Sequence, residues 1–221
     1  MPRRFPVRGH VLVAGAVGAL GLVLLVSGCT GVVEGGGPAA SGEAAASDPP
    51  SPTAPATPGF DQALHDELIA MLARDQLDRT GGSSGESDQA RTDRLAEIIG
   101  EHGWPTIALV GEDGEDAAWA IAQHSDLDPA FQRRALELLR EAVAAGQASP
   151  GNLAYLEDRV AVASGEPQRY GTQVGCGPNG PEPATPIADE AGLEARRSTA
   201  GLDPYADYLA EMTEICQSAT Q

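Results

Sequence analysis

His124, Asp75, Arg79 and Arg159 are the side chains of this chain whose types could share one piece of chemistry. An imidazole titrates nearest to ambient pH, so His124 is the natural general acid or base. Asp75 or Asp158 could orient it, while Arg79 or Arg159 could hold an anionic group or stabilise developing negative charge. Neutral donors and acceptors stand close by in sequence. Gln123 precedes His124, and the segment Pro-Gln-Arg-Tyr-Gly-Thr-Gln contributes Gln168, Tyr170, Thr172 and Gln173 soon after Arg159. That mixture is the kind that orients a small polar ligand. Turnover there would be hydrolysis or group transfer at a carboxylate- or phosphate-bearing substrate.

A protein nucleophile is missing from this set. No Gly-x-Ser-x-Gly elbow occurs, and the absence of any Lys excludes a Schiff base and a phosphate-loop lysine. Metal chemistry is not expected either. Beyond the first 28 residues the histidines are His65, His102 and His124, at no ligand-like spacing and with no His-Glu-x-x-His. Asp113, Glu115 and Asp116 lack the full calcium-loop pattern and suit a helix start better. No cofactor is implied. The reading placed first is a membrane-tethered binding module for a small polar or anionic ligand of the cell envelope, with hydrolysis or transfer by His124 as its alternative. A third class is a protein-interaction module anchored by Trp104, Trp119 and Tyr170, although both tryptophans fit a core better.

What must position these groups is a set of amphipathic helices. The apolar arc of Leu64, Leu68, Met71 and Leu72 continues into Asp75 and Arg79, an i,i+4 pair. His124 continues the face of Ala117 and Ile121, with Gln123 beside Trp119. Arg159 falls inside the arc of Leu153, Leu156, Val160 and Ala163. A buried charge is costly unless paired and hydrogen-bonded, so these groups should meet one another. They would form either an internal network, with Asp75 on Arg79 or Arg159 and His124 on a backbone carbonyl, or a polar pocket between helices. The loop rich in Gln, Tyr and Thr favours the pocket, as its roof.

The expected fold is all-α, one domain of six to seven helices over residues 60–221 with a long Gly/Pro-rich loop from Gly171 to Pro186. Apolar periodicity marks helices beginning near Phe60 and near Asp88, the latter closed by Gly103. Thr106–Gly111 is expected to be a connector. Glu-Asp-Ala-Ala-Trp-Ala-Ile-Ala-Gln-His-Ser is apolar nearly all round, as a central helix should be. Asp128-Pro129 and Ser149-Pro150 start two more, ended by Gly146 and Gly165. Two helices, about 188–199 and 203–217, finish the chain. No clear strand is evident.

The first 28 residues carry Arg3, Arg4 and Arg8, an apolar run of 16 residues, and Val-Ser-Gly before Cys29. That order describes a secretory signal rather than a membrane-spanning helix. Val-Ser-Gly-Cys resembles the bacterial lipobox, which implies cleavage after Gly28 and a lipid, with its fatty acyl chains such as palmitate, on Cys29. The expected location is therefore the extracytoplasmic face of the cell membrane. Residues 29–59, rich in Gly, Ala, Ser and Pro, cannot offset ordering by burial and are expected to act as a tether. Without the signal, basic residues fall from 14 to 11 against 32 acidic ones, a net charge of −21. Such a surface repels nucleic acid. Cys176 and Cys216 remain, and an oxidising compartment suggests a disulfide, the alternative being two unrelated thiols.

Asp-Gln-Leu-Asp-Arg, Arg-Leu-Ala-Glu-Ile-Ile-Gly-Glu-His-Gly-Trp-Pro-Thr, the stretch from Leu109 to Gln132 with its Gln-His pair, Leu-Ala-Tyr-Leu-Glu-Asp-Arg-Val and Gly-Glu-Pro-Gln-Arg-Tyr-Gly-Thr-Gln occur here in the order and spacing of a bacterial domain of unknown function, DUF 6624. The resemblance covers about residues 62–205. It implies a helical domain with a recurrent site at Asp75, Arg79, Trp104, Gln123, His124, Asp158, Arg159, Gln168, Tyr170 and Gln173, and it brings no reaction. The stretch after Thr172, with its two cysteines, looks particular to this chain.

Overall fold

Four of the helices begin where the sequence supplies a side-chain cap. Asp61 accepts from the Leu64 amide at 3.0 Å and opens α1, Gln62–Arg79. Ser87 accepts from Ala90 and opens α2, Asp88–His102. Asp128 accepts from Ala130 and Phe131 ahead of α4, Pro129–Ala144. Ser149 caps α5, Pro150–Ala163. Each cap satisfies amides that lack a partner in the first turn, and a proline in the first helical position has no amide to satisfy. These details come from a computed structural model, which describes residues 59–218. The segment read as a signal, Cys29 and the tether up to residue 58 lie outside the described residues.

The central element is α3, Ile107–Gln123, against which α1, α2, α4 and α5 all pack. Its buried face is built of small residues, Ala117, Ala118, Ala120 and Ala122, with Ile121 and Trp119 adding bulk. Small side chains let several helix axes approach at once. Gly114 shows how close α1 comes, since a Cβ there would sit 3.4 Å from His65 Cδ2. Around α3 the core is closed by Leu68 and Met71 of α1, Leu95 and Ile98 of α2, Leu139 of α4 and Leu156 of α5.

The structure departs from the sequence expectation in two places. Ile107–Val110 is a helical turn, not a connector, and it joins the rest of α3 across a kink at Gly111, where φ is +78°. A left-handed residue interrupts the apolar periodicity, and only glycine adopts it without a steric cost. Second, the Gly/Pro-rich loop contains a short antiparallel hairpin. In it β1, Val174–Gly177, pairs with β2, Gly180–Pro183, in the register Val174 to Pro183 and Gly177 to Gly180. Glu190–Gly192 forms a single 3-10 turn, followed by α6, Leu193–Thr199, and α7, Tyr205–Ser218. The described residues thus form a mostly all-α single domain with seven α-helices. Cys176 of β1 is disulfide-bonded to Cys216 of α7, so the hairpin is fastened to the last helix. Among the described residues, no helix is long and apolar enough to cross a membrane.

Candidate functional site

The apolar stripe of α1 runs Leu64, Leu68, Met71 and then Asp75, which is 0% exposed. His124 arrives as the residue that ends α3. Ser125 Oγ beside it donates to the Ile121 carbonyl and accepts from Thr92 Oγ1 of α2, both at 2.8 Å, which fixes this corner. Asp75 Oδ2 lies 2.9 Å from His124 Nδ1. Arg79, one turn on, directs Nε at both Asp75 oxygens, at 3.0 and 3.1 Å.

Arg79 Nε is also 2.9 Å from His124 Nδ1, so the imidazole tautomer follows from counting protons. An ionised carboxylate only accepts, and two lone pairs facing each other at 2.9 Å would repel. The proton therefore sits on Nδ1 and is donated to Asp75, while the Arg79 Nε–H goes to the carboxylate. Burial alone would raise the Asp75 pKa, but hydrogen bonds from His124 and Arg79 and their charge outweigh it and hold it at about 2. His124 Nε2 makes no hydrogen bond among the described residues, and His124 keeps 7% exposure. One face of the imidazole is fixed and its other nitrogen is unoccupied.

A second guanidinium backs this pair. Arg91 of α2 approaches Asp75 at 3.8 Å and bonds Asp78 at 2.8 Å and Asp88. Asp88 also receives Arg79 at 3.1 Å. Sequence reasoning missed Arg91, although it lies one turn before Leu95 on the same helix face and the same wheel would have shown it.

Arg159 belongs to a separate set. Its Nε and Nη2 grip Asp126 in a bidentate pair, and Nη1 donates to Gln173 Oε1 at 3.1 Å. Gln123 Nε2 reaches the same Gln173 oxygen at 3.5 Å, and Gln123 Oε1 is buried with no hydrogen-bond partner among the described residues. No hydrogen bond or ion pair among the described residues joins these side chains to Asp75, Arg79 or His124. The peptide between Gln123 and His124 connects the two sets.

Asp158, next to Arg159, is 0% exposed and has the most specific surroundings of all. It accepts from the amides of Arg169, Tyr170 and Thr172 and from Thr172 Oγ1. Gln168 uses its amide in a similar way. It accepts from the Gln173 amide and donates to the carbonyls of Gln173 and Thr185. Asp158, Gln168 and Thr172 thus fix the conformation of the 168–173 loop. Tyr170 stacks under Arg169, whose Cζ is 5.6 Å from the ring centroid.

Glu115 of α3 was read from the sequence only as part of a helix start, yet it is a buried carboxylate. Trp104 Nε1 and Asn152 Nδ2 donate to it at 3.1 Å, and the Ser149 amide at 3.4 Å. Burial pushes its pKa up to about 7 despite those donors. Among the described residues no group of three His, Cys, Asp or Glu is placed to hold a metal ion.

No curated protein and no solved structure matches the chain. A family model does match, over residues 62–217, so the similarity extends through the hairpin and α7 and the stretch after Thr172 is not peculiar to this chain. Most of the helical domain, with the Asp75–His124 corner and the Asp158-locked loop, is covered by that match, and the chain belongs to the family of unknown function DUF6624.

Proposed function

We propose that this is an exported lipoprotein whose helical domain performs acid–base chemistry on a small polar substrate of the cell envelope, with His124 Nε2 as the proton acceptor. The carrying observation is the buried 2.9 Å contact between Asp75 and His124 Nδ1, with Nε2 left unpaired. Asp75 holds one tautomer and would stabilise the imidazolium as it forms, the role a carboxylate plays behind a catalytic histidine. Water is the nucleophile this set allows. Capture of an anion by Arg79 or Arg159 is supported less well, because carboxylates already occupy both guanidinium groups. The alternatives remain binding without turnover and a protein-interaction role.

The test is a screen of chromogenic esters, amides and phosphate esters with the purified protein and with His124→Gln, which retains a donor toward Asp75. Loss of about 10²- to 10⁴-fold in rate at unchanged melting temperature is the expected result. Equal rates in both proteins, or a substrate bound but never converted, would reject catalysis. Anchoring at the extracytoplasmic face of the membrane through a lipid on Cys29 rests on the sequence alone. Its check is Cys29→Ser, which should release the protein from the membrane fraction.

A further inference from the structure

Arg197 is a guanidinium of a different kind. It is 2% exposed, and no Asp or Glu forms an ion pair with it among the described residues. Nε donates to the Asp203 carbonyl at 2.7 Å and Nη1 to the Tyr170 carbonyl at 2.8 Å. Its Cζ lies 5.2 Å from the Tyr208 centroid and 5.5 Å from that of Tyr205. Nη2 donates to no protein atom among the described residues. A buried cation served only by neutral groups is costly, and a carboxylate that completed it would be held strongly.

Scarcity of acids does not explain this. The chain has 32 acidic against 14 basic side chains. Arg74, Arg79, Arg91, Arg94, Arg140, Arg159 and Arg196 all form ion pairs. Asp203 itself offers Arg197 its backbone oxygen and not its carboxylate. Arg197 instead lines a cavity of about 350 Å³ between α5, α6 and α7, with Tyr155 and Tyr208 as walls and Asp203, Asp207 and Glu211 around it. Those three carboxylates have no ion-pair partner among the described residues, and all three residues are exposed.

We propose that this cavity binds a small zwitterion, an α-amino acid or a molecule of that size and charge pattern. Its carboxylate pairs with Arg197, and its ammonium pairs with Asp207 and Glu211. A simple anion would be repelled by the acidic rim, and a simple cation by the inner guanidinium. A molecule with both charges a few ångströms apart satisfies each end. The volume accommodates a single amino acid, at the lower end of small-molecule sites. This site is separate from His124 and does not depend on the acid–base reading.

Equilibrium dialysis of the purified full chain with radiolabelled glycine, L-alanine and D-alanine tests it, with propionate and ethylamine as single-charge competitors. Saturable binding of at least one amino acid is expected, with neither competitor displacing it at equal concentration. Arg197→Met should weaken binding about 30-fold or more, the usual consequence of removing one partner of a buried charge pair. Because Arg197 also holds two backbone carbonyls, that variant could unfold. The paired exposed changes Asp207→Asn and Glu211→Gln should leave the melting temperature in place and weaken binding about 10-fold. No saturation by any of the three up to about 10 mM, or binding unchanged in the rim variant, overturns the proposal. Propionate alone displacing as well as alanine would also overturn it.

Discussion

Titrating Glu115 should make this protein less stable as pH rises through neutrality, the opposite of what a salt-bridged carboxylate does. Its folded pKa of about 7 stands above the ordinary glutamate value of 4.5. Between those two values the folded chain carries a proton on Glu115 that the unfolded chain has lost, so folding is linked to proton uptake. The contribution is complete below pH 4.5 and is lost as pH climbs through 7. At 1.36 kcal/mol per pH unit it amounts to about 3 kcal/mol. The assay is urea unfolding at intervals from pH 4.5 to 8.5, for the native protein and for Glu115→Gln. The amide cannot titrate, and its mismatch with Trp104, Asn152 or Ser149 is an offset independent of pH. His65, raised by its hydrogen bonds to Asp66 and Asp113, slopes the same way in both proteins and cancels. The native-minus-Gln difference should therefore fall by about 3 kcal/mol across the window. A flat or rising difference would mean that the three donors outweigh burial and keep Glu115 ionised.

Asp75 gives the opposite sign at lower pH. With its pKa held at about 2 against 3.8 unfolded, about 2 kcal/mol present above pH 4 should vanish as pH falls to 2. Asp75→Asn should not show that loss in acid-unfolding curves. Reducing the Cys176–Cys216 bond, which spans 40 residues, should cost up to about 4 kcal/mol on the chain-entropy model, read as a lower urea midpoint in reductant. Asp158→Ala strips an acceptor from three amides, each costing about 1–3 kcal/mol if left buried and unpaired. Hydrogen exchange at Arg169, Tyr170 and Thr172 should accelerate with it. Gly171→Ala places a Cβ 2.8 Å from Ile187 Cδ1 at a φ of +66°, and calorimetry should show a loss of about 1–3 kcal/mol.

Caps and stripes were the legible part of this fold, because each is a local rule. Asp128 and Ser149 sit at caps because their oxygens reach amides two or three residues away. Asp75 was legible for the same reason, as the next residue of a buried stripe. Illegible features depended on the tertiary partner or on one torsion. Nothing in Gly111 announces a kink that keeps a helix going on both sides of it. The strands of the hairpin are four residues each and hold three glycines and two prolines, so they show no alternation to detect. A helical wheel placed Arg159 in the core, yet the residue fully buried is its neighbour Asp158. At 100° per residue, adjacent positions both border the same arc. What decides between them is the row of amides on the 168–173 loop, which converge only once the loop is folded.

That loop is where the two proposed sites become mechanically related. Asp158 binds the Tyr170 and Thr172 amides, while the carbonyls of the same two residues receive Arg197 and Tyr208. Gln173, next in the chain, holds both Arg159 and Gln123, the residue before His124. One carboxylate therefore sets the position of the inner cation of the α6–α7 cavity and of the polar cluster beside the imidazole. His124→Gln removes a side chain whose polar partners among the described residues are Asp75 and Arg79, and amino-acid binding at Arg197 should survive it unchanged. The rim variants at Asp207 and Glu211 should likewise leave acid–base turnover intact. Asp158→Ala should impair both together although it substitutes none of the proposed contact residues. If it impaired turnover but spared amino-acid binding, Arg197 would be positioned by α6 and α7 alone, and the loop would serve only one site.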